Sequence, residues 1–276
     1  MQMPDLKLTN INGVELELYD TGGDGEPVVF IHGGSTDECY AVIQEPALTE
    51  RFRVIHYMRR GWGKSSSEGL PLSIPQQAED CRAVMRHLGV EKAHLEGLSY
   101  GGTILLQFAL DFPEAVHTLA LLEPGLPEEL ESPELIAGLE ESEKLYAAGD
   151  NAGALDAAFK EICGPDYRAA FDKNLPAGWF DRWVADLETL FEHDMGALES
   201  WTFTEEDARR ITHPVLNMSG KHTRPYLRAN YDSLKAWMPQ AESVILPDST
   251  HAMLEEQPKA SAEILADFFA RHPMKT

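Results

Sequence analysis

Ser99 lies between Gly97 and Gly101 in the stretch "HLEGLSYGG". A serine at a sharp turn between a buried strand and a helix has its hydroxyl lifted above the sheet, with the next N–H, here that of Tyr100, aimed at whatever it attacks. The helix N-terminus adds positive potential there. Alone, G-x-S-x-G arises by chance, so the strand–turn–helix setting is what gives it weight. A serine hydroxyl is a poor nucleophile at neutral pH. It needs a base to take its proton, and a histidine base needs a carboxylate to hold its tautomer. Ten histidines are available. His251 lies just past an apolar run, in the small, polar loop "LPDSTHAMLEEQP", a good place from which to reach over a sheet edge.

The elements around these residues alternate. "GVELELYD" has period two and reads as a strand. "PVVFIHGG", "RFRVIHYM", "KAHLEGLS" and "TLALLEP" are short apolar runs of the kind buried in a parallel sheet. "IPQQAEDCRAVMRHLGV" and "YGGTILLQFALDFP" are helical segments between them, stopped by Gly89 and Pro113. From 125 to 212 strand signals vanish and acidic amphipathic helices take over, with Trp179, Trp183, Leu187, Leu190 and Phe191 on one face. After 212 the strand–helix rhythm returns in "HPVLNMSG", "RANYDSLKAWMP", "SVILPD" and "KASAEILADFFARH". The pattern predicts an α/β core over 1–124 and 213–276, interrupted by a helical cap over 125–212.

With these residues in place, the chain resembles the α/β-hydrolase superfamily, as a serine hydrolase of esterase type with a helical cap. "FIHGG" (30–34) looks like its His-Gly oxyanion loop, "RRGWGKSS" (59–66) like its Arg-Gly-x-Gly-x-Ser loop, "EGLSYGG" (96–102) like its nucleophile elbow, and "LPDSTHAMLEEQP" (246–258) like its histidine loop. Four motifs in this order are far more specific than any one. The resemblance implies a mostly parallel, eight-stranded sheet flanked by helices, with the cap inserted after the sixth strand. It also implies Ser99 as nucleophile, His251 as general base and His32 as a structural residue. The second oxyanion donor, beside the N–H of Tyr100, falls on Gly34, or on Ser35 if the loop is one residue longer.

One position departs from the family. Its usual acid follows the strand "HPVLNMSG" in a G-x-x-Asp pattern, and here Gly220-Lys221-His222-Thr223 puts a threonine there. Some members instead carry the acid after the preceding core strand, which here ends in Glu123. A carboxylate after four apolar residues at a sheet edge needs a partner, and His251 fits. The expected triad is therefore Ser99–His251–Glu123. Glu96, inside the strand leading to Ser99, is the rival acid or a residue supporting the turn. Asp248 ranks below both, being only three residues before His251. Met58 stands where the family often has an aspartate.

The substrate pocket is expected to draw on Ser35, Tyr40, Trp62, Leu126, Trp179 and Trp183, although packing among the cap helices is the commoner fate of a stripe such as Trp179, Phe180 and Trp183. "GWGKSS" lacks the leading glycine of a phosphate loop, Met58 standing in its place. No cluster has metal-ligand spacing, so neither metal nor cofactor is expected.

The formal charge of −23, from 46 acidic and 23 basic residues, disfavours nucleic acid and anionic membranes as partners. The three dispersed cysteines point to reduced thiols and a cytoplasmic setting. Neither a leader pattern nor an apolar run of transmembrane length is visible. The expected activity is hydrolysis of an ester or related carbonyl compound through an acyl-enzyme. The same triad also serves carbon–carbon bond hydrolases, lyases and perhydrolases, and a triad degraded at Thr223 would suit a non-enzymatic ligand-binding relative. A serine nucleophile argues against the dehalogenases and epoxide hydrolases of the superfamily, which use an aspartate. The partner is a small-molecule substrate, of identity the sequence leaves open, as it does the oligomeric state.

Overall fold

A computed structural model describes residues 2–274 except 128, 130 and 131. Residue 1 and residues 275 and 276 of the expected core, and three residues at the start of the expected cap, thus lie outside the described residues. Eight strands form one sheet: β1 (Lys7–Ile11), β2 (Val14–Asp20), β3 (Glu26–Ile31), β4 (Phe52–Tyr57), β5 (Ala93–Leu98), β6 (Val116–Leu122), β7 (Val215–Gly220) and β8 (Glu242–Leu246). Their order is β1-β2-β4-β3-β5-β6-β7-β8. β1 and β2 pair antiparallel, as do β2 and β4, and every later pairing is parallel. The apolar runs of β3, β5, β6 and β7 occupy its middle, where both faces are covered.

The helices are α1 (Pro46–Thr49), α2 (Ile74–His87), α3 (Tyr100–Asp111), α4 (Pro133–Ala147), α5 (Asn151–Cys163), α6 (Tyr167–Asn174), α7 (Trp179–Ala185), α8 (Met195–Glu199), α9 (Glu205–Arg210), α10 (Pro225–Trp237), α11 (Met253–Glu256) and α12 (Pro258–Arg271). α2 starts with a capping box in which the Ser73 hydroxyl accepts from the Gln76 N–H and the Gln76 side chain accepts from the Ser73 N–H. Two apolar layers sandwich the sheet, one including Leu105 and Phe108 of α3, the other including Leu265 and Phe269 of α12.

Between β6 and β7 the described residues contain helices α4 to α9 and a π-helical turn, Thr189–Asp194, and no strand. This segment has its own apolar cluster, built on Phe171, Trp179 and Trp183. Polar contacts tie it to loops at the end of the sheet. Asp194 takes a 2.7 Å ion pair from the buried Arg59 and a hydrogen bond from the Trp62 indole N–H. Arg182 pairs with Asp37, and Thr36 donates to Asp186. Both residues of the Arg59–Asp194 pair are buried, so removing either partner would strand a charge, at a cost of about 3–5 kcal/mol.

Candidate active site

β5 ends at Leu98 and α3 begins at Tyr100, leaving Ser99 alone to make the turn. Its backbone sits at φ 52°, ψ −124°, a conformation that costs a non-glycine residue about 1–3 kcal/mol. The surroundings hold it there, since the Ser99 N–H donates to Leu122 O at 2.9 Å and its C=O accepts from the Thr103 N–H at 3.1 Å. The flanking glycines are required by close approach. A methyl group at Gly101 would lie 2.0 Å from the carbonyl oxygen of Ile31, and one at Gly97 would lie 2.5 Å from the backbone of Gly101. α3 can therefore start against the end of β3 only without side chains at these points.

His251 lies in the loop between β8 and α11. Its Nδ1–H donates to Glu123 Oε2 at 2.6 Å. Glu123 directly follows β6, in the left-handed region at φ 44°, and its side chain is wholly buried. Its other oxygen, Oε1, accepts from the Ser219 hydroxyl and from the Gly220 N–H at 3.0 Å. Oε2 also accepts from the Thr223 hydroxyl at 2.8 Å. Thr223, at the position expected to carry an acid, is thus a donor to the Glu123 carboxyl. Gly220 admits no side chain, because an added methyl would lie 1.9 Å from the Thr250 carbonyl oxygen. That close approach brings the loop of His251 against the end of β7.

Burial works against a charge on His251, but the hydrogen bond and charge of Glu123, with the charges of Glu129 and Glu38, outweigh it and raise the imidazole pKa above its ordinary 6.5. His32 behaves oppositely. Burial, with Arg59 and His56 nearby, holds it well below that value. Its Nε2 accepts from the Arg59 N–H at 3.0 Å and its Nδ1–H donates to Gly33 O. A neutral His32 therefore braces the loop that carries Gly34.

Ser99, His251, Gly34, Ser35 and Tyr100 all border one cavity of about 280 Å³. As the first residue of α3, Tyr100 has an N–H without an intrahelical acceptor. Its ring points elsewhere, the hydroxyl accepting from the Gln77 side chain and the ring lying under the Arg59 guanidinium.

Five of the residues expected in the pocket do not border it. Tyr40 is buried against His56, its hydroxyl 4.0 Å from the Met58 sulfur. Trp62 packs edge-on to His32 and is held by Asp194. Leu126 belongs to the apolar layer on the α3 side of the sheet. Trp179 and Trp183 pack on each other and on Phe171, and so make the interior of the helical segment. The apolar wall is formed instead by Phe159, Ile162, Leu190, Phe191 and Leu198, among others.

The sequence reading also missed five carboxyls on the wall, the enclosed Glu38, Glu129 and Glu255 and the exposed Glu143 and Glu199. Glu38 accepts from the Gly33 N–H at 2.8 Å and from the Ser35 hydroxyl, and burial pushes it up to about 7. Glu129 accepts from the Asn230 amide, and enclosure pushes it likewise to about 7. Glu96 does not border the cavity. It is fully buried, neither carboxyl oxygen has a hydrogen-bond partner among the described residues, and burial raises its pKa well above the usual carboxylate range. It makes no contact with His251 of the kind Glu123 makes. Asp248, the lower-ranked acid, is exposed and faces His222.

No group of three or more His, Cys, Asp or Glu side chains among the described residues is arranged to hold a metal ion. No helix among them is long and apolar enough to cross a membrane. The three cysteines are buried and unpaired.

The model of the alpha/beta hydrolase fold family matches residues 26–258. A soluble epoxide hydrolase of Corynebacterium sp. (strain C12) is 28% identical over 281 residues, 94% of this chain and 95% of that protein. A pimeloyl-[acyl-carrier protein] methyl ester esterase of Aeromonas hydrophila is 25% identical over 89% of this chain and 96% of its own. The crystal structure of the carboxylesterase CesB of Bacillus subtilis superposes with a TM-score of 0.74 at 21% identity, covering 97% of this chain and 92% of that one. At that identity the likeness speaks for the fold. With a family match over most of its length, the mostly parallel eight-stranded sheet and the serine turn at the end of β5, this chain belongs to the α/β-hydrolase superfamily.

Proposed function

We propose that the protein is a serine hydrolase that cleaves an ester or related carbonyl compound through an acyl-enzyme. The observation that carries this reading is the 2.6 Å contact from His251 Nδ1 to Glu123, in a cavity that Ser99 also borders. That contact fixes the tautomer in which the other ring nitrogen, Nε2, is free to accept a proton. Ser99 Oγ attacks the carbonyl carbon and gives its proton to His251. The N–H groups of Gly34 and Tyr100 receive the developing oxyanion. Collapse of the tetrahedral intermediate expels the alcohol, which takes the proton from His251. Water then attacks the acyl-serine, with His251 again as base, and the carboxylic acid leaves. Residues 125–212 act as a cap whose apolar wall covers the acyl-enzyme.

A serine at the nucleophile position favours acyl transfer over the epoxide opening of the Corynebacterium relative. The four donors to Glu123, which include Thr223, support a working acid rather than a degraded triad. The test is reaction with a fluorophosphonate, followed by peptide mass spectrometry, alongside hydrolysis of p-nitrophenyl butyrate. Stoichiometric labelling of Ser99, and loss of both labelling and turnover in Ser99→Ala, is the expected result. Labelling elsewhere, or turnover that survives Ser99→Ala, would overturn the proposal.

A further inference from the structure

The cavity wall is chemically one-sided. Besides its apolar residues it presents the carboxyls of Glu38, Glu129, Glu143, Glu199 and Glu255. No lysine or arginine borders it among the described residues, and His251 is its only basic side chain. Glu143 and Glu199 are exposed. Glu255 is 2% exposed, and its Oε2 is buried with no hydrogen-bond partner among the described residues. A buried carboxyl oxygen left without a partner costs free energy that an incoming donor would recover.

Burial, with the carboxyls of Glu38 and Glu256 nearby, raises the Glu255 pKa well above the usual carboxylate range and holds the group toward its neutral form until a cation stands beside it. Glu38 Oε2 also approaches Ser99, since that oxygen and the Ser99 Cβ each lie 3.0 Å from the point where a methyl on Gly33 would stand. The acid-rich side of the cavity is therefore next to the hydroxyl expected to attack. A carboxylate-bearing ligand would oppose ionisation of these carboxyls and would find no lysine or arginine on the wall to pair with. An ammonium group brings up to three N–H donors and a positive charge, and the rings of Phe159 and Phe191 on the same wall tolerate a cation at their faces. Glu38 and Glu129, pushed up to about 7, would ionise readily beside such a cation. The exposed Glu143 and Glu199 extend the same sign of field outward and favour the approach of cations.

We propose that this cavity selects substrates carrying a protonated amine and rejects those carrying a carboxylate, with Glu255 as the residue that receives the ammonium group. The inference rests on the serine hydrolase reading for the word substrate, while the preference for an amine is a binding property that can be measured alone.

The experiment compares hexylamine, 1-hexanol and hexanoate at neutral pH, by calorimetric binding to the full chain and by competitive inhibition of p-nitrophenyl butyrate hydrolysis. Hexylamine is expected to bind at least about tenfold tighter than hexanol, with hexanoate the weakest of the three. In Glu255→Gln the ratio of amine to alcohol affinity falls toward one. Glu129→Gln lowers that ratio by a smaller factor, and it serves as the charge-removing variant if Glu255→Gln does not fold. Equal binding of amine and alcohol, or tighter binding of hexanoate, would overturn the inference. So would a ratio unchanged by both substitutions. The esterase reading is scored separately by turnover. Hydrolysis without amine preference sinks only this inference, and amine preference without hydrolysis sinks only the reading of the reaction.

Discussion

Two buried carboxyls flank Ser99 in the chain and meet opposite fates. Glu123, after β6, has four donors on its two oxygens, from Ser219, Gly220, Thr223 and His251. Glu96, within β5, has none among the described residues. Both are wholly buried. Burial alone therefore says little about role, and the hydrogen-bond accounting separates them. Four donors hold the Glu123 carboxyl in place to orient a histidine, whereas burial without any donor drives Glu96 toward its neutral form.

Substitutions on the two sides should differ accordingly. The largest effect is expected for Glu123→Gln, which keeps the shape but removes the charge and the acceptor that fixes the His251 tautomer. The proposed mechanism predicts a fall in kcat of about 10³–10⁴-fold, read on p-nitrophenyl butyrate with circular dichroism as the check on folding. A loss under tenfold would erase the distinction. A middling effect is expected for Thr223→Val, which deletes one donor to Glu123 and leaves the other three. About 1 kcal/mol is the ordinary worth of such a bond, or roughly fivefold in kcat/KM. The smallest is expected for Glu96→Gln. With no bond to lose, its stability to urea should stay within about 1 kcal/mol of wild type. A loss of about 3 kcal/mol or more would mean that the Glu96 carboxyl has a partner after all.

The comparison also marks how far the sequence could be read. Periodicity and turn chemistry are local, so the run of strands was legible and Ser99, Glu123 and His251 follow β5, β6 and β8 as read, whereas the roles proposed for His251 and Glu123 came from the resemblance to the family. Thr223 could be read only as a missing acid. Its hydroxyl became a donor to Glu123 through the pairing of β6 with β7, which no local pattern encodes. The aromatic stripe of α7 left two readings open for a related reason, and the commoner one, packing within the helical segment, is what the structure has. An amphipathic face says that Trp179 and Trp183 are buried, not against what, and here they pack on Phe171 rather than on the cavity. Glu38 lies in a turn, Glu129 outside the strands and α-helices, and Glu255 in the short α11, in an acidic chain where a glutamate ordinarily faces water. Only the fold turns them inward.

The most direct measurement is an NMR titration of the His251 ring in wild type, Glu123→Gln and Glu96→Gln. The contact with Glu123 raises the imidazole pKa, so wild type should titrate above 6.5. Removing that carboxylate lowers the value, and Glu123→Gln should titrate about one unit or more below wild type. Glu96→Gln should leave it within about 0.3 unit. A His251 whose titration ignores Glu123→Gln and moves with Glu96→Gln would contradict the assignment of Glu123 as the acid.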